Sequence, residues 1–104
     1  MVQRLTIPTR LVLEALLAHG DEEAYGLQLA RDAGLPTGTV HPILARFEGL
    51  GWVESRWEDV DPTEAGRPPR RYYRLTVTGR REGGARLAAA PRPRVALQPT
   101  VVPS

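Results

Sequence analysis

The sequence predicts a mainly α protein with a two-stranded β-hairpin (α+β), on three observations. Apolar residues recur at helical spacing in three segments of the first half. Two later segments rich in strand-forming residues flank a proline-rich loop, and an alanine- and arginine-rich segment follows them. The chain has 104 residues, of which 41% are hydrophobic and 25% charged. This size and composition suit one globular domain with one modest core.

The first predicted helix covers residues 6–20. Thr6 can cap its N-terminus, Pro8 lies in the first turn where no backbone donor is needed, and Gly20 can end it. Apolar residues occur on more than one side of this helix, so we expect it to be buried on more than one side. A second, shorter helix is predicted from residue 21 to Gly34, because acidic residues suit a helix N-terminus and glycine suits a helix end.

A third helix is predicted after a short turn, and its start depends on Pro42. With Thr39 as the N-cap, Pro42 stands at the third helical position and costs no hydrogen bond. With Thr37 as the N-cap, one backbone hydrogen bond is lost in the second turn. The residues leave both starts open. The face opposite the apolar stripe is kept flat by Ala45 and Gly49. The apolar stripe consists of Val40, Ile43, Leu44, Phe47 and Leu50.

A hairpin is predicted with strands at residues 52–58 and 70–77. The connecting residues 59–69 are rich in proline and are predicted to form a long, mobile loop without a tight turn. Trp52 and Trp57 could stack a planar ligand, but hairpin tryptophans more often lie in the core or an interface, so both are expected in the core. In the second strand, Tyr73, Leu75 and Val77 are expected on one face, and Tyr72, Arg74 and Thr76 on the other.

A last helix is predicted over residues 78–90, weakened by the glycine pair at 83–84, which costs roughly 1 kcal/mol per glycine relative to alanine. The residues of this helix that are expected to pack are Ala85, Leu87 and Ala88. The remaining residues are rich in proline and offer little to bury. We therefore predict a domain over residues 1–90 and a disordered tail over residues 91–104.

The charges are distributed unevenly along the chain. The formal net charge is +2, but residues 1–64 hold five arginines and eleven acidic residues, whereas residues 65–104 hold nine arginines and one acidic residue, Glu82. All fourteen basic residues are arginine, which binds phosphate and guanine through paired hydrogen bonds. The cluster of arginines in the second part of the chain favours binding to nucleic acid over a merely solvated surface.

The sequence lacks the residues that most enzymes and cofactor sites require. It has no cysteine, two histidines and no lysine, so neither a nucleophile–base pair nor a phosphate-binding loop is recognisable. The acidic residues of the proline-rich loop have no glycine-centred calcium motif. No apolar stretch has the length of a membrane span, and no secretory signal is recognisable. We therefore predict a cytoplasmic protein that is not an enzyme and uses no cofactor, metal or membrane.

The order of three helices, a two-stranded ribbon and a helix is that of a winged helix-turn-helix. In this fold the third helix lies in the DNA major groove, and the hairpin, called the wing, reaches over the DNA backbone. We therefore predict that the partner is double-stranded DNA. The candidate contacts are Thr37, Thr39, His41 and Arg46 on the helix, and Arg67, Arg70, Arg71 and Tyr72 on the wing.

Three stretches resemble the PadR family of bacterial transcriptional regulators: residues 39–44 (TVHPIL), 50–55 (LGWVES) and 66–76 (GRPPRRYYRLT). Residues 25–27 (YGL) also resemble the second-helix pattern of that family. The resemblance covers residues 5–90. It implies a homodimeric, sequence-specific repressor that binds an inverted repeat and that, as often in this family, is released by a small-molecule effector.

By position, the resemblance adds Pro42 to the contacts of the third helix. Two features depart from the family pattern. His41 stands where the family usually has tyrosine, so the preferred operator can differ, and the C-terminal helix is short where family members usually dimerise through longer ones. The residues also leave an alternative function open: a winged helix that binds proteins, since the first 64 residues are acidic overall.

Overall fold

The computed structural model describes residues 5–89, and it confirms a mainly helical fold with one small antiparallel sheet. The predicted tail and the domain boundary at residue 90 lie outside the described residues, so both stay predictions. In chain order the elements are α1 (Ile7–Ala18), β1 (Ala24–Tyr25), α2 (Gly26–Ala33), α3 (Thr37–Gly49), β2 (Val53–Trp57), α4 (Pro62–Ala65), β3 (Arg71–Leu75), a π-helical turn (Gly79–Gly83) and α5 (Gly84–Ala89).

The sheet has three strands rather than the predicted two, in the order β1-β3-β2. β2 and β3 form the wing and pair antiparallel, from Val53 opposite Leu75 to Trp57 opposite Arg71. β1, at residues 24–25, pairs with the other edge of β3. A strand of two residues has no readable alternation in the sequence, so only its pairing with β3 defines it.

α1 begins and α2 ends as predicted, but α2 starts later. The Thr6 hydroxyl accepts a hydrogen bond from the Thr9 amide at 3.2 Å, and Gly34 closes α2 in the left-handed conformation. The acidic residues 21–23 precede β1 and do not open α2. Two of them instead bind arginines of later elements, an interaction that the local preference of acidic residues for helix starts does not anticipate.

α3 begins earlier than either start that the sequence left open. Pro36 is the N-cap and Thr37 is the first helical residue. Pro42 is therefore the sixth residue of α3, and its missing N–H leaves the Gly38 carbonyl without its helical partner. Both residues are exposed, so water can bind this carbonyl.

The end of α3 fixes the direction in which the chain enters the wing. The Trp52 amide donates to the Phe47 carbonyl at 2.9 Å, and the Gly51 amide donates to the Glu48 carbonyl at 3.0 Å. With Gly51 at a φ of 78°, this is a Schellman ending. The rings of Phe47 and Trp52 pack with their centroids 5.3 Å apart. This contact anchors Trp52, the residue before β2, on α3.

The core lies between the first three helices and the inner face of the sheet. Tyr73 and Leu75 are buried as predicted, whereas Val77 lies beyond β3 and is 78% exposed. Trp52 is buried, but Trp57, at the wing end of β2, is 59% exposed, so the prediction of a core position was wrong for Trp57. The fully buried large side chains are Phe47, Leu13, Leu29, Leu44, Val12 and Val40.

The wing loop contains one helical turn, α4, where the sequence analysis predicted only an irregular loop. The Asp61 carboxylate caps this turn by accepting a hydrogen bond from the Thr63 amide at 2.9 Å. Gly66 ends it in the left-handed region, at a φ of 72°. A turn of four residues is too short to show helical periodicity, although aspartate before proline is a typical start signal.

The C-terminal helical segment is continuous across its glycine pair. A Cβ at Gly79 would overlap the Trp52 carbonyl group, and one at Gly83 would lie 3.0 Å from Leu13 Cδ1. The absence of a side chain at Gly79 and Gly83 therefore lets the segment approach the core closely, and the helical backbone is not interrupted at either residue. Of the residues expected to pack, Leu87 contacts the core, whereas Ala85 and Ala88 are exposed.

Gly79→Ala is expected to lower the free energy of unfolding by at least about 2 kcal/mol, because the added methyl group meets backbone that cannot move aside. The matched control is Gly84→Ala in the same segment, where an added Cβ has nothing within 4 Å. The control is expected to stabilise the protein by about 0.5–1 kcal/mol. Urea unfolding followed by circular dichroism measures both, and equal effects of the two substitutions would contradict this packing.

Candidate nucleic-acid interface

A cavity of about 450 Å³ separates the wing from the starts of α2 and α3. Its lining is aromatic and basic, and none of the lining residues is acidic. It therefore combines apolar surface with positive charge, a combination that suits an anionic partner. The lining residues are Tyr25, Gly26, Leu27, His41, Trp57, Pro69, Arg70, Arg71 and Tyr73.

The face of α3 that points away from the core is small and exposed. His41 flanks this face on the side of the wing, since it lines the cavity. Arg46 flanks it on the opposite side, where it lines a crevice with Thr9 of α1 and Arg86 of α5. The exposed residues along the face are Gly38, Pro42, Ala45 and Gly49.

His41 packs against the start of α2 because residue 26 has no side chain. A Cβ at Gly26 would lie 2.8 Å from His41 Cε1, which is closer than van der Waals contact permits. Gly26 is buried and is the first residue of α2. The imidazole is thus held between α2 and α3, at the edge of the cavity.

The carboxylate of Glu58 holds the two ends of the wing loop together. Arg67 donates to it from two guanidinium nitrogens, at 2.6 and 3.1 Å, and the Arg70 amide donates to it at 3.1 Å. The Glu58 amide donates in return to the Arg70 carbonyl at 2.7 Å. The hydrogen bonds from the Arg67 guanidinium, and secondarily from the Arg70 amide, lower the pKa of Glu58 to about 2.

Guanidinium groups and tyrosine rings alternate across the sheet. The Arg70 guanidinium lies 4.3 Å from the centroid of the Tyr25 ring, and Tyr25 packs edge-to-face on Tyr72 at 5.9 Å. The Arg56 guanidinium lies 5.2 Å from the centroid of Tyr72 and donates to Glu23 at 2.6 and 2.8 Å. Tyr72 is therefore engaged in this stack and does not line the cavity.

Arg71 and Trp57 form the part of the cavity wall that lies on β2 and β3. The Arg71 guanidinium lies 5.3 Å from the Trp57 ring centroid and donates to the Ser55 hydroxyl at 2.9 and 3.1 Å. The Ser55 hydroxyl in turn donates to Glu48 of α3 at 2.7 Å. Glu48 also lies 3.5 Å from Arg71, so this network links the wing to the end of α3.

Folding cancels much of the charge asymmetry along the chain. The ion pairs that join carboxylates of residues 1–64 to arginines of the later part are Asp21–Arg80, Glu48–Arg71, Glu54–Arg74 and Glu58–Arg67. Within residues 5–89, Arg70 and Arg46 have no carboxylate at ion-pair distance. The positive charge still available for a partner near α3 is therefore concentrated on these two residues.

The structure brings some of the predicted contact residues together and separates others. The cavity and the adjoining start of α3 carry Thr37, Thr39, His41, Pro42, Arg70 and Arg71. Arg67 and Tyr72 are bound within the wing, and Arg46 lies across α3 from the cavity. The sequence analysis preferred a core position for Trp57 over a ligand-stacking one and did not expect Tyr25 in a cavity. The exposure of these residues depends on where β2 ends and on the short strand β1.

Three helices followed by a wing define a winged helix-turn-helix protein. The sequence matches the model of the transcriptional regulator PadR-like family over residues 12–85. This match spans most of the chain, so the protein belongs to the PadR-like family of transcriptional regulators. No curated protein matches the sequence.

Solved structures agree with this assignment. A PadR family transcriptional regulator from Eggerthella lenta is 31% identical, with a TM-score of 0.58 over 79% of this chain and 75% of that chain. Another transcriptional regulator is 27% identical, with a TM-score of 0.60, and covers 81% of this chain but 56% of its own length. Bacillus subtilis PadR, solved in complex with operator DNA, is 14% identical, with a TM-score of 0.66 over 98% of this chain and 54% of that chain; it shares the fold.

In residues 5–89, no helix is long and apolar enough to cross a membrane.

Arg67→Gln is expected to raise the pKa of Glu58 from about 2 toward its ordinary value of 4.5. A lowered folded-state pKa stabilises the fold above the ordinary pKa, and this contribution is lost as the pH falls toward 2. The variant should therefore be less stable than the parent protein above about pH 4.5, and this difference should shrink as the pH falls toward 2. Carboxyl ¹³C NMR titration measures the pKa. Arg81→Gln, which changes an exposed arginine outside the wing, is the control and should leave the pKa of Glu58 near 2. An unshifted Glu58 pKa in the Arg67 variant would refute the hydrogen bonds from Arg67 as the cause of the lowered pKa.

Proposed function

We propose that this protein is a transcriptional repressor that binds an inverted-repeat DNA operator as a homodimer. The observation that carries the proposal is the position of the small, exposed face of α3 beside a basic cavity wall on the wing. A helix that enters the major groove needs a slim face with hydrogen-bonding groups near it, and a wing beside it needs positive charge.

The start of α3 supplies both base-reading and phosphate-binding groups. The side chains of Thr37, Thr39 and His41 offer donors and acceptors for base edges. No side chain caps α3, so its first backbone amides can bind a phosphate. Pro42 adds apolar contact surface at the centre of the exposed face.

The wing arginines have different roles in this proposal. Arg70 binds phosphate, because its guanidinium is held on Tyr25 and has no carboxylate partner within residues 5–89. Arg71 contributes from the cavity wall, although it is shared with Glu48. Arg67 acts indirectly, by holding Glu58 and thereby the shape of the wing loop. Arg46 reaches the duplex from the opposite flank of α3.

The homodimer is supported by apolar surface on α1 and at the end of α3. Ile7 is 58% exposed and Leu50 is 54% exposed, and the alanines of α5 are exposed as well. A second copy that covers these side chains would relate two α3 helices by a two-fold axis, which matches an inverted repeat. Bacillus subtilis PadR, which has the same fold, was solved with operator DNA, and this supports DNA as the partner.

Binding to a duplex from genomic fragments is expected to weaken steeply with salt. Because much of the arginine charge is already paired with carboxylates, a dimer should contact about four to eight phosphates. The logarithm of the affinity should then fall with the logarithm of the salt concentration with a slope of about −4 to −7. Fluorescence anisotropy at several salt concentrations measures the slope, and sedimentation gives the mass of the complex. A flat salt response would favour a protein-binding winged helix instead.

Substitutions in α3 and in the wing should have different consequences. Thr39→Ala and His41→Ala are expected to change the preferred sequence, since these side chains read bases, with about 1–3 kcal/mol of discrimination lost per good contact. Arg70→Ala should weaken binding to all sequences alike, because phosphate contacts carry no sequence information. Selection of bound sites from a random library measures both effects.

Arg81→Ala is the control for these variants, because Arg81 is exposed but lies outside α3 and the wing. It should retain both affinity and sequence preference. Unchanged preference in both α3 variants would show that α3 is not the reading helix.

A further inference from the structure

We propose that Gly26 helps to determine which operator is preferred, without touching DNA, by fixing the position of the His41 ring. Gly26 is buried at the start of α2, whereas His41 is exposed on α3. The inference rests on the proposed function, in which His41 reads base edges. It adds a residue outside both the reading helix and the wing to those that set sequence preference.

The two residues approach each other more closely than a side chain at residue 26 would allow. A Cβ placed there would lie 2.8 Å from Cε1, 3.3 Å from Nε2 and 3.6 Å from Nδ1 of His41. Apart from the adjoining residues and the backbone of α2, these are its three nearest atoms. Carbon atoms that are not bonded to each other pack about 3.5–4.0 Å apart, so the ring occupies space that a methyl group would need.

The backbone at residue 26 does not itself require glycine. The φ of Gly26 is not positive, so residues with a side chain can adopt its conformation. Alanine also favours a helix more than glycine does. The feature of this position that depends on glycine is therefore the space for the His41 ring.

Packing against Gly26 sets the position of the ring, since no hydrogen bond or ion pair within residues 5–89 holds it. Its nitrogens therefore keep their capacity to donate and accept for a base edge. A methyl group at residue 26 would push the ring away from α2 by about 1 Å. Because hydrogen bonds tolerate only small changes in distance and angle, such a displacement changes which base edge the ring can contact.

Selection of bound sites from a random library tests this coupling with the full chain, Gly26→Ala, His41→Ala and the double variant. Gly26→Ala should alter preference at the same base positions as His41→Ala, and should change the affinity ratio between the parent site and a site altered there by at least about fivefold. In the His41→Ala background, Gly26→Ala should have no further effect on preference, because no ring is left to displace.

Gly84→Ala is the matched control, because an added Cβ at that glycine has nothing within 4 Å. It should keep the parent preference. An unchanged preference in Gly26→Ala would overturn the proposal, and so would a change that persists undiminished in the double variant, since residue 26 would then act through the backbone and not through the ring.

The same experiment separates this inference from the proposed function. If the parent chain binds no duplex, or if His41→Ala keeps the parent preference, the proposed role of His41 fails and the inference fails with it. If the parent chain and His41→Ala behave as proposed and Gly26→Ala does not, the inference alone fails.

Proton NMR of the free protein checks the placement of the ring without DNA. The parent chain should show a nuclear Overhauser effect between the Gly26 Hα protons and His41 Hε1, and Gly26→Ala should shift the His41 Hε1 signal. His41→Ala assigns the signal. The internal reference is His19, whose Nε2 lies 2.7 Å from Asp32 and whose signal should not move. A missing Overhauser effect, or a Gly26→Ala chain that does not fold, would overturn the proposal.

Discussion

The position of the wing relative to α3 depends on the packing of Trp52. Its amide closes α3 on the Phe47 carbonyl, its carbonyl accepts from the Thr76 amide, and its indole N–H donates to Glu82. Gly79 brings the C-terminal helical segment against the backbone of the same residue. Because β2 begins at the next residue, a single buried residue joins α3, the sheet and the C-terminal segment. This packing sets the direction in which the wing, and with it the cavity wall, leaves the core.

Ion pairs then decide which arginines remain available for a partner. Acidic residues of the first half of the chain meet arginines of the second half, so a strongly basic segment becomes a largely neutral surface with a few free cations. Exposed pairs of this kind contribute little to stability, about 0–1 kcal/mol each. In the proposed function their effect is on recognition, because they leave the guanidinium of Arg70 as the wing cation without a salt bridge within residues 5–89. The bidentate pair between Arg67 and Glu58 also shapes the loop that carries it.

The candidate site could be predicted only in part. The sequence identified His41, Arg70 and Arg71 from their place in the third helix and the hairpin, and the structure collects them around one cavity. It could not distinguish Arg67 from Arg70, since the partner of Arg67 lies nine residues away across the wing loop. Trp57 was expected in the core because tryptophan is usually buried in a hairpin, and nothing local signals that β2 extends beyond the core at its last residue.

The sequence by itself determined the presence of α1, α2 and α3, the wing and their order. Apolar spacing, caps and glycines act within a few residues, so they can be read along the chain; examples are Thr6, Gly34 and the stripe of α3. Tertiary structure alone decided the third strand and the pairing of charges. Each of these depends on groups that are distant in sequence and meet only when α1, α2 and the sheet pack together, and no local pattern specifies such a meeting.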